Sequence, residues 1–393
     1  MRISLLTGGM DSYYQLDLVA GLVSAGVYVE FVCNDEMAAS EIARHELVAV
    51  YNLRGDQDPD APLAQKLARI LAYYIRLLWY SARTRSRVFH IQWENKFLLF
   101  DRTLLCLFYK LLGKTLVFTA HNVNAGKRDG TDSWRNRFGL RVMYRLVDHI
   151  IVHTSTARDE LIREFDVPEH KVSAIECGVN RIVPKTPLSR EEAKRQLGLT
   201  SQEKAVLFFG NILPYKGLEY LVDAVRQLLR QDETYRLIIA GRSQLHKSYW
   251  REKIEPRLAD ALGEKVILRT SLISDEGVEV YFKAADVLVL PYLMIFQSGV
   301  LFVAYAFGLP VIASDVGAFR DDIVSGKTGY ICLPRDVTSL AEAIAAFFSG
   351  PLFTHHEESR RFIAEYAADR YSWEKIGQKT KEVYAALTRA ASN

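Results

Sequence analysis

The segment ADVLVLPYLMIFQSGVLFVAYAFGLPVIASD (Ala285–Asp315) decides the fold class. It opens on a β-branched apolar run that ends at Tyr292 and closes on a second one, LPVIASD. Between them the polar trio Gln297-Ser298-Gly299 introduces an apolar helix-like run, Val300 to Gly308. Strand, helix and strand in that order form a crossover unit, which joins parallel strands rather than a hairpin. Near-continuous apolar strands also belong to sheets covered on both faces.

The same alternation extends outward in both directions. Upstream, AVLFFGN, YRLIIAG and KVILRT read as strands, and TGYICLP continues the set downstream. The loop ILPYKG leads into a helix striped by Leu218, Leu221, Val222, Val225 and Leu229. The first half repeats the pattern with strands at ISLLT, YVEFVC, RVFHIQW, TLVFTAH and HIIVHTS. Asp11 and Ser12 cap a helix carrying Leu16, Val19, Leu22 and Val23, and Thr156 with Asp159 stands at capping-box spacing for another. The fold class is therefore α/β, with two Rossmann-like, doubly wound parallel-sheet domains. The Pro184/Pro187 region marks the join, giving domains at 1–185 and 186–370. The amphipathic helix within 371–393 is expected to pack back on the first domain.

Composition narrows the function classes. The chain has 393 residues, 49% hydrophobic and 25% charged, which excludes a disordered or low-complexity protein. Four scattered cysteines with no paired spacing read as reduced core thiols, and no metal-ligating pattern accompanies them. The first residues alternate like a strand and are too short for a signal peptide, and no apolar stretch reaches the roughly 18 residues a membrane span requires. A cytoplasmic protein is expected. The net charge of +3 is unevenly spread: residues 66–145 hold 16 Lys/Arg against 4 Asp/Glu, a local +12. In WRNRFGLRVMYRLV, Arg137, Arg141 and Arg145 recur at four-residue steps beside Phe138, Val142 and Leu146. That pattern suits an anionic membrane surface as a partner, peripheral on the inner face of the cell membrane. No nucleic-acid module accompanies the charge, so no nucleic acid is expected.

Parallel sheets bind ligands beyond the carboxyl ends of their strands, so candidate site residues are those in the loops that follow. Gly8 and Gly9 in TGGM allow a ligand close to the backbone. His121 ends TLVFTAH, where a neutral imidazole meets a substrate hydroxyl or a developing charge. Lys216, between Gly210 and Gly217, can neutralise a departing diphosphate. Ser298, Gly299 and Val300 begin a helix whose free amides and positive dipole end suit an anion.

Taken together, TGGM, TLVFTAHNV, DHIIVHTSTARDEL, KVSAIECGVN, FGNILPYKGLEYLVDAV, ADVLVLPY, AYAFGLPVIASDVGAFRDDI, GKTGYICLP and YSWEKI resemble the retaining glycosyltransferases of family 4, over essentially the whole chain. The resemblance implies the GT-B fold, two Rossmann-like domains facing across a cleft, the first acceptor-binding and the second nucleotide-sugar-binding. It implies His121 as the active-site histidine, Lys216 as the diphosphate lysine and Ser298 to Val300 as the phosphate-binding helix start. The donor is expected to be a UDP-sugar or GDP-sugar, used without a metal or other cofactor. The acceptor is expected to be a lipid-linked saccharide or an oligosaccharide, in polysaccharide or lipid-linked glycan synthesis. Three positions depart from the family pattern. Its two glutamates, eight residues apart, fall at Ile295 and Val303, and its arginine five residues before the lysine falls at Asn211. Gln297 is the candidate replacement for sugar contacts, and Asn211 stays a donor-site candidate. Two alternatives stay open: a catalytically degenerate sugar-binding or scaffold subunit, and a sugar-nucleotide 2-epimerase. The carboxylate-poor QSGVLFVAYAFG stands against the epimerase.

Overall fold

The computed structural model describes residues 1–9, 11–58, 60–181, 183–244, 247–259 and 263–390. They form two compact units, Met1–Gly178 with Tyr371–Asn393, and Val179–Arg370. The expected join at 185/186 therefore lies seven residues past the change of unit at Gly178. Lys185 and Thr186 are already bonded within the second unit, to the Ala306 carbonyl (2.5 Å) and to Glu279 (Thr186 Oγ1 to Oε2, 2.9 Å).

The first unit holds a seven-stranded sheet: β1 (Arg2–Leu6), β2 (Tyr28–Cys33), β3 (Val48–Asn52), β4 (Val88–Ile91), β5 (Thr115–Thr119), β6 (His149–Val152) and β7 (Val172–Ala174). Their order is β3-β2-β1-β4-β5-β6-β7, with every pairing parallel. The second unit holds six strands: β8 (Lys204–Phe209), β9 (Tyr235–Ala240), β10 (Val266–Arg269), β11 (Val287–Leu290), β12 (Val311–Ser314) and β13 (Gly329–Cys332). These lie in the order β10-β9-β8-β11-β12-β13, again all parallel. The chain reverses its direction of winding between β1 and β4 in one sheet and between β8 and β11 in the other, so each unit has one topological switch point.

All eleven expected strands are present; β3 and β7 were not foreseen. Both are edge strands, one largely exposed and the other three residues long, and neither has the doubly buried run that marks an inner strand. One expected cap is corrected. The helix Ser155–Phe165 is capped by Thr154, whose hydroxyl accepts the Ala157 amide at 3.0 Å, and not by Thr156. Extended backbone at Thr154 leaves its side chain free to fold over the first turn, whereas Thr156 is already helical. The helix Ser12–Ser24 starts as expected, with Asp11 Oδ1 accepting the Tyr14 amide at 3.1 Å.

The last helix, Trp373–Ala390, closes the first unit. A methyl group at Gly377 would stand 2.0 Å from the Gly21 carbonyl oxygen, so the two helix backbones touch where glycine meets glycine. Trp373, 1% exposed, fills the space beside Gly178, and the Tyr384 hydroxyl reaches His90 Nδ1 on β4 at 2.5 Å. No disulfide is formed among the described residues. Cys33, Cys106 and Cys332 are buried, while Cys177 is half-buried rather than a core thiol. No helix among the described residues is long and apolar enough to cross a membrane.

Candidate functional site

Both switch points carry candidate residues. In the first unit, Gly8 follows β1 with φ +66°, and a methyl there would stand 2.5 Å from both Cβ and the carbonyl oxygen of Trp93, which follows β4. Only glycine accepts that conformation and that contact. Gly9 is likewise close-packed, against the Arg54 guanidinium. The paired glycines therefore serve the packing of protein against protein at this point.

Trp93 in turn lies flat on His121, with ring centroids 3.7 Å apart and planes 4° from parallel, while Tyr14 meets His121 edge-on at 4.7 Å. Gly8 and His121, far apart in sequence, are brought together through this indole. The imidazole protonation state follows from its partners. Burial holds His121 well below the usual histidine range, with His153 and His90 adding to the effect. Burial also lowers His153 to about 4. Both rings are neutral at pH 7. His153 Nδ1 lies 3.0 Å from the Ile175 carbonyl, which can only accept, so the His153 proton sits on Nδ1 and its Nε2 is an acceptor. His121 Nδ1, 3.0 Å from that Nε2, must then be the donor. The network assigns a bare lone pair to His121 Nε2, which is buried and has no hydrogen-bond partner among the described residues.

In the second unit, β8 is followed by Gly210, with φ +95°. A methyl there would stand 3.2 Å from Lys216 Nζ and 3.2 Å from Val300 Cγ2, so these two candidates converge on one glycine. Lys216 is only 7% exposed, and its ammonium lies 5.3 Å from the centre of the Tyr292 ring. Its turn, Pro214–Lys216, is held against the end of β11 by the Leu293 amide, which donates to the Tyr215 carbonyl at 2.7 Å. Asn211, next to Gly210, is exposed.

The helix Gly299–Ala306 begins beside this group, with Ser298 as its extended N-cap. The Ser298 side chain is buried and caps no amide of its own helix. The first-turn amides of Gly299 and Val300 have no acceptor within the helix, and the space above Gly299 is open: a Cβ there would meet nothing within 4 Å. Gln297 Oε1 is buried without a partner among the described residues. A neutral acceptor left in that state costs about 1–3 kcal/mol, which a donor group on a ligand would offset. Ile295 is buried and its carbonyl backs onto Gly317, so the two family glutamate positions offer no side-chain acceptor, Val303 being apolar as well. Among the described residues, no three His, Cys, Asp or Glu side chains form a metal-binding group.

Trp93, His153 and Tyr14 were not among the candidates. Two of them were within reach of the rule that selected His121, since Trp93 directly follows RVFHIQ and His153 directly follows HIIV at the carboxyl ends of their strands.

Comparison with known proteins follows the division into units. A family model described as "Glycosyltransferase Family 4" matches residues 8–181, and one described as "Glycosyl transferases group 1" matches residues 203–349. A D-inositol 3-phosphate glycosyltransferase of Streptomyces avermitilis is 29% identical over 62% of this chain and 53% of its own length. An uncharacterized glycosyltransferase of Methanocaldococcus jannaschii is 29% identical over 60% of this chain and 59% of its own. The chain thus matches little more than half the length of these two relatives. A D-inositol 3-phosphate glycosyltransferase of Pseudarthrobacter chlorophenolicus is 27% identical over 96% of this chain and 90% of its own. Among solved structures, the sucrose-phosphate synthase of Thermosynechococcus elongatus is similar with a TM-score of 0.76 at 21% identity, covering 99% of this chain and all of that one. Anabaena HepE in complex with UDP gives 0.74 at 15% identity over 98% of this chain and all of that one.

Proposed function

The chain belongs to glycosyltransferase family 4, within the group 1 glycosyl transferases, and has the GT-B architecture of two doubly wound units; from this premise we propose that it moves a sugar from a nucleotide-diphosphate sugar to an acceptor hydroxyl, with retention and without a metal ion. The observation that carries the reading is the convergence of Lys216 and Val300 over Gly210, beside the open amides at Gly299. A diphosphate gains negative charge as its bond to the sugar breaks. One ammonium and a helix start, already fixed in place by the fold, stabilise that charge with little reorganisation.

Each candidate then has a part. Lys216, Ser298, Gly299 and Val300 hold the diphosphate of a UDP-sugar or GDP-sugar. Gln297 accepts from a sugar hydroxyl, and Asn211 lines the donor side. His121 Nε2, a bare acceptor, takes a hydrogen bond from a hydroxyl and so orients it. Gly8 and Gly9 shape the loop over that imidazole. The C1–O bond to the diphosphate breaks, the acceptor oxygen bonds to C1 on the same face, and its proton passes to the departing phosphate oxygen. The solved relatives holding UDP and UDP-glucose fit a nucleotide-sugar donor. The acceptor belongs to polysaccharide or lipid-linked glycan synthesis, and the chain works at the inner face of the cell membrane.

A thermal-shift series with UDP, GDP and their sugars tests the reading, since a ligand that binds only the native state raises the melting temperature. One nucleotide is expected to raise it. Lys216→Ala is expected to abolish that shift and lower the rate of donor turnover about a hundred-fold or more, and His121→Ala to lower turnover while keeping the shift. The absence of a shift at millimolar concentration with any nucleotide would favour the scaffold subunit. Product inverted at C2 of the sugar nucleotide would favour the epimerase.

A further inference from the structure

The helix Leu63–Arg83 has two apolar faces, and only one of them is used by the fold. Tyr73, Tyr74, Leu77, Tyr80 and Ser81 are buried against the first unit. On the far side Leu67, Leu71, Ile75 and Trp79 are 49%, 59%, 68% and 60% exposed, joined by exposed Ala68 and Ala82. At 3.6 residues per turn these six occupy an arc of about 120°. No acidic residue lies between Leu63 and Arg83, and the exposed Arg76 and Arg83 stand along one edge of the arc. Arg83 lies over the Trp79 ring at 4.2 Å.

The apolar exposure continues on adjoining elements. Tyr74 donates to Asp101 at 2.8 Å and stacks on Phe97, which is 46% exposed and followed by Leu98 and Leu99 at 48% and 50%. Gly139 of the helix Trp134–Leu146 packs against Arg102 and Leu99. That helix exposes Trp134 and Phe138 (73% and 52%), with Arg141 and Arg145 on the same side. Apolar side chains this extensive and edged by arginine mark a docking surface rather than ordinary exposure.

We propose that this face docks on an anionic lipid bilayer, with the Leu67–Trp79 side chains in the headgroup region and Arg76 and Arg83 on lipid phosphates. This deepens the proposed reading of a membrane-held acceptor and rests on it, since docking would hold the enzyme where such an acceptor lies. Charge selects the occupant. A second copy pairing through the same face would bring two faces of like charge together with no acidic residue of Leu63–Arg83 to offset them, whereas an anionic surface complements both the arginines and the local +12 of residues 66–145. Arginine at the edge and tryptophan within the arc match the depth profile of an interfacial helix, and the arginines stop the helix from spanning.

Flotation of the full chain with vesicles of phosphatidylcholine alone, and with added phosphatidylglycerol, tests this. The chain is expected to float with the anionic vesicles and to release as salt is raised. Arg76→Gln with Arg83→Gln is expected to weaken partitioning by roughly thirty-fold, and Ile75→Glu with Trp79→Glu to abolish it. Both pairs are exposed, so the nucleotide thermal shift stays unchanged in each and reports an intact fold. Failure of the wild-type chain to float at low salt overturns the proposal. So does a stable dimer, measured by light scattering, that the glutamate pair dissociates. A chain that floats but shifts with no nucleotide removes the donor reading and leaves the docking face standing. One that glycosylates a soluble acceptor but never floats does the reverse.

Discussion

At Gly299 two effects of one methyl group have opposite signs, which makes the residue a sharp test of the anion site. Its backbone lies outside the left-handed region and a Cβ would meet nothing within 4 Å. Gly299→Ala is therefore expected to raise stability by about 0.4–1 kcal/mol, through the lower entropy of the unfolded chain. The same methyl stands where a diphosphate oxygen would approach the amide, so the nucleotide-induced thermal shift is expected to shrink sharply. Thermal melts with and without nucleotide read both, and an unchanged shift would move the anion away from this helix start. The positions of His121 after a strand, Lys216 in the turn before a helix and Ser298–Val300 at a helix start were legible because strand ends and helix starts leave a local trace. The orphan lone pair on His121 was not, because it is set by His153 and Ile175, neither of them a neighbour in the chain.

Among the elements, the terminal helix Trp373–Ala390 bears strongly on stability, because it completes a core begun by the first helix and strands of the chain. Trp373, Ile376 and Tyr384 are each at most 3% exposed and join the cluster of Leu18, Leu22, Val27 and Phe31. Removing a buried tryptophan alone costs about 3–5 kcal/mol, against a total stability of about 5–15 kcal/mol for a domain. A chain ending at Arg370 is expected to leave residues 1–178 open to limited proteolysis while 179–370 resist it. Mass mapping of the fragments checks this, and equal resistance of both would show the helix to be dispensable. The amphipathic period of this helix was readable, and so was its tendency to pack back. The contact itself was not, because Gly21 and Gly377 look like weak points in a helix until each meets the other's backbone.

For the molecule as a whole, the buried histidines make stability depend on pH in one direction. His90 and His153 are lowered to about 3 and about 4, and His121 well below its ordinary value, in each case mainly by burial. The unfolded chain binds these protons near pH 6.5 and the native chain does not, so acid favours unfolding. The stability is fully present above pH 6.5 and falls as pH drops toward 4. Each ring contributes about 1.4 kcal/mol per pH unit in that window. Urea unfolding of the chain at pH 7, 6 and 5 is expected to show this loss, and His153→Gln to remove one ring's share of it. A stability independent of pH over that range would mean that the rings take up their protons at the same pH in the native chain as in the unfolded one.

Eleven of the thirteen described strands, the two doubly wound units and the basic region were decided by the sequence alone, because each is written in residues close together along the chain. β-branched runs bounded by glycine, a 3.6-residue apolar stripe and a count of charges need no partner to be read. Strand order across the switch points, the contact of Gly8 with Trp93, the tautomer of His121 and the unused outer face of Leu63–Arg83 were decided only by the tertiary structure. Burial and hydrogen bonding belong to pairs of groups, and here the partners are distant: His90 and Tyr384 are 294 residues apart and meet at 2.5 Å.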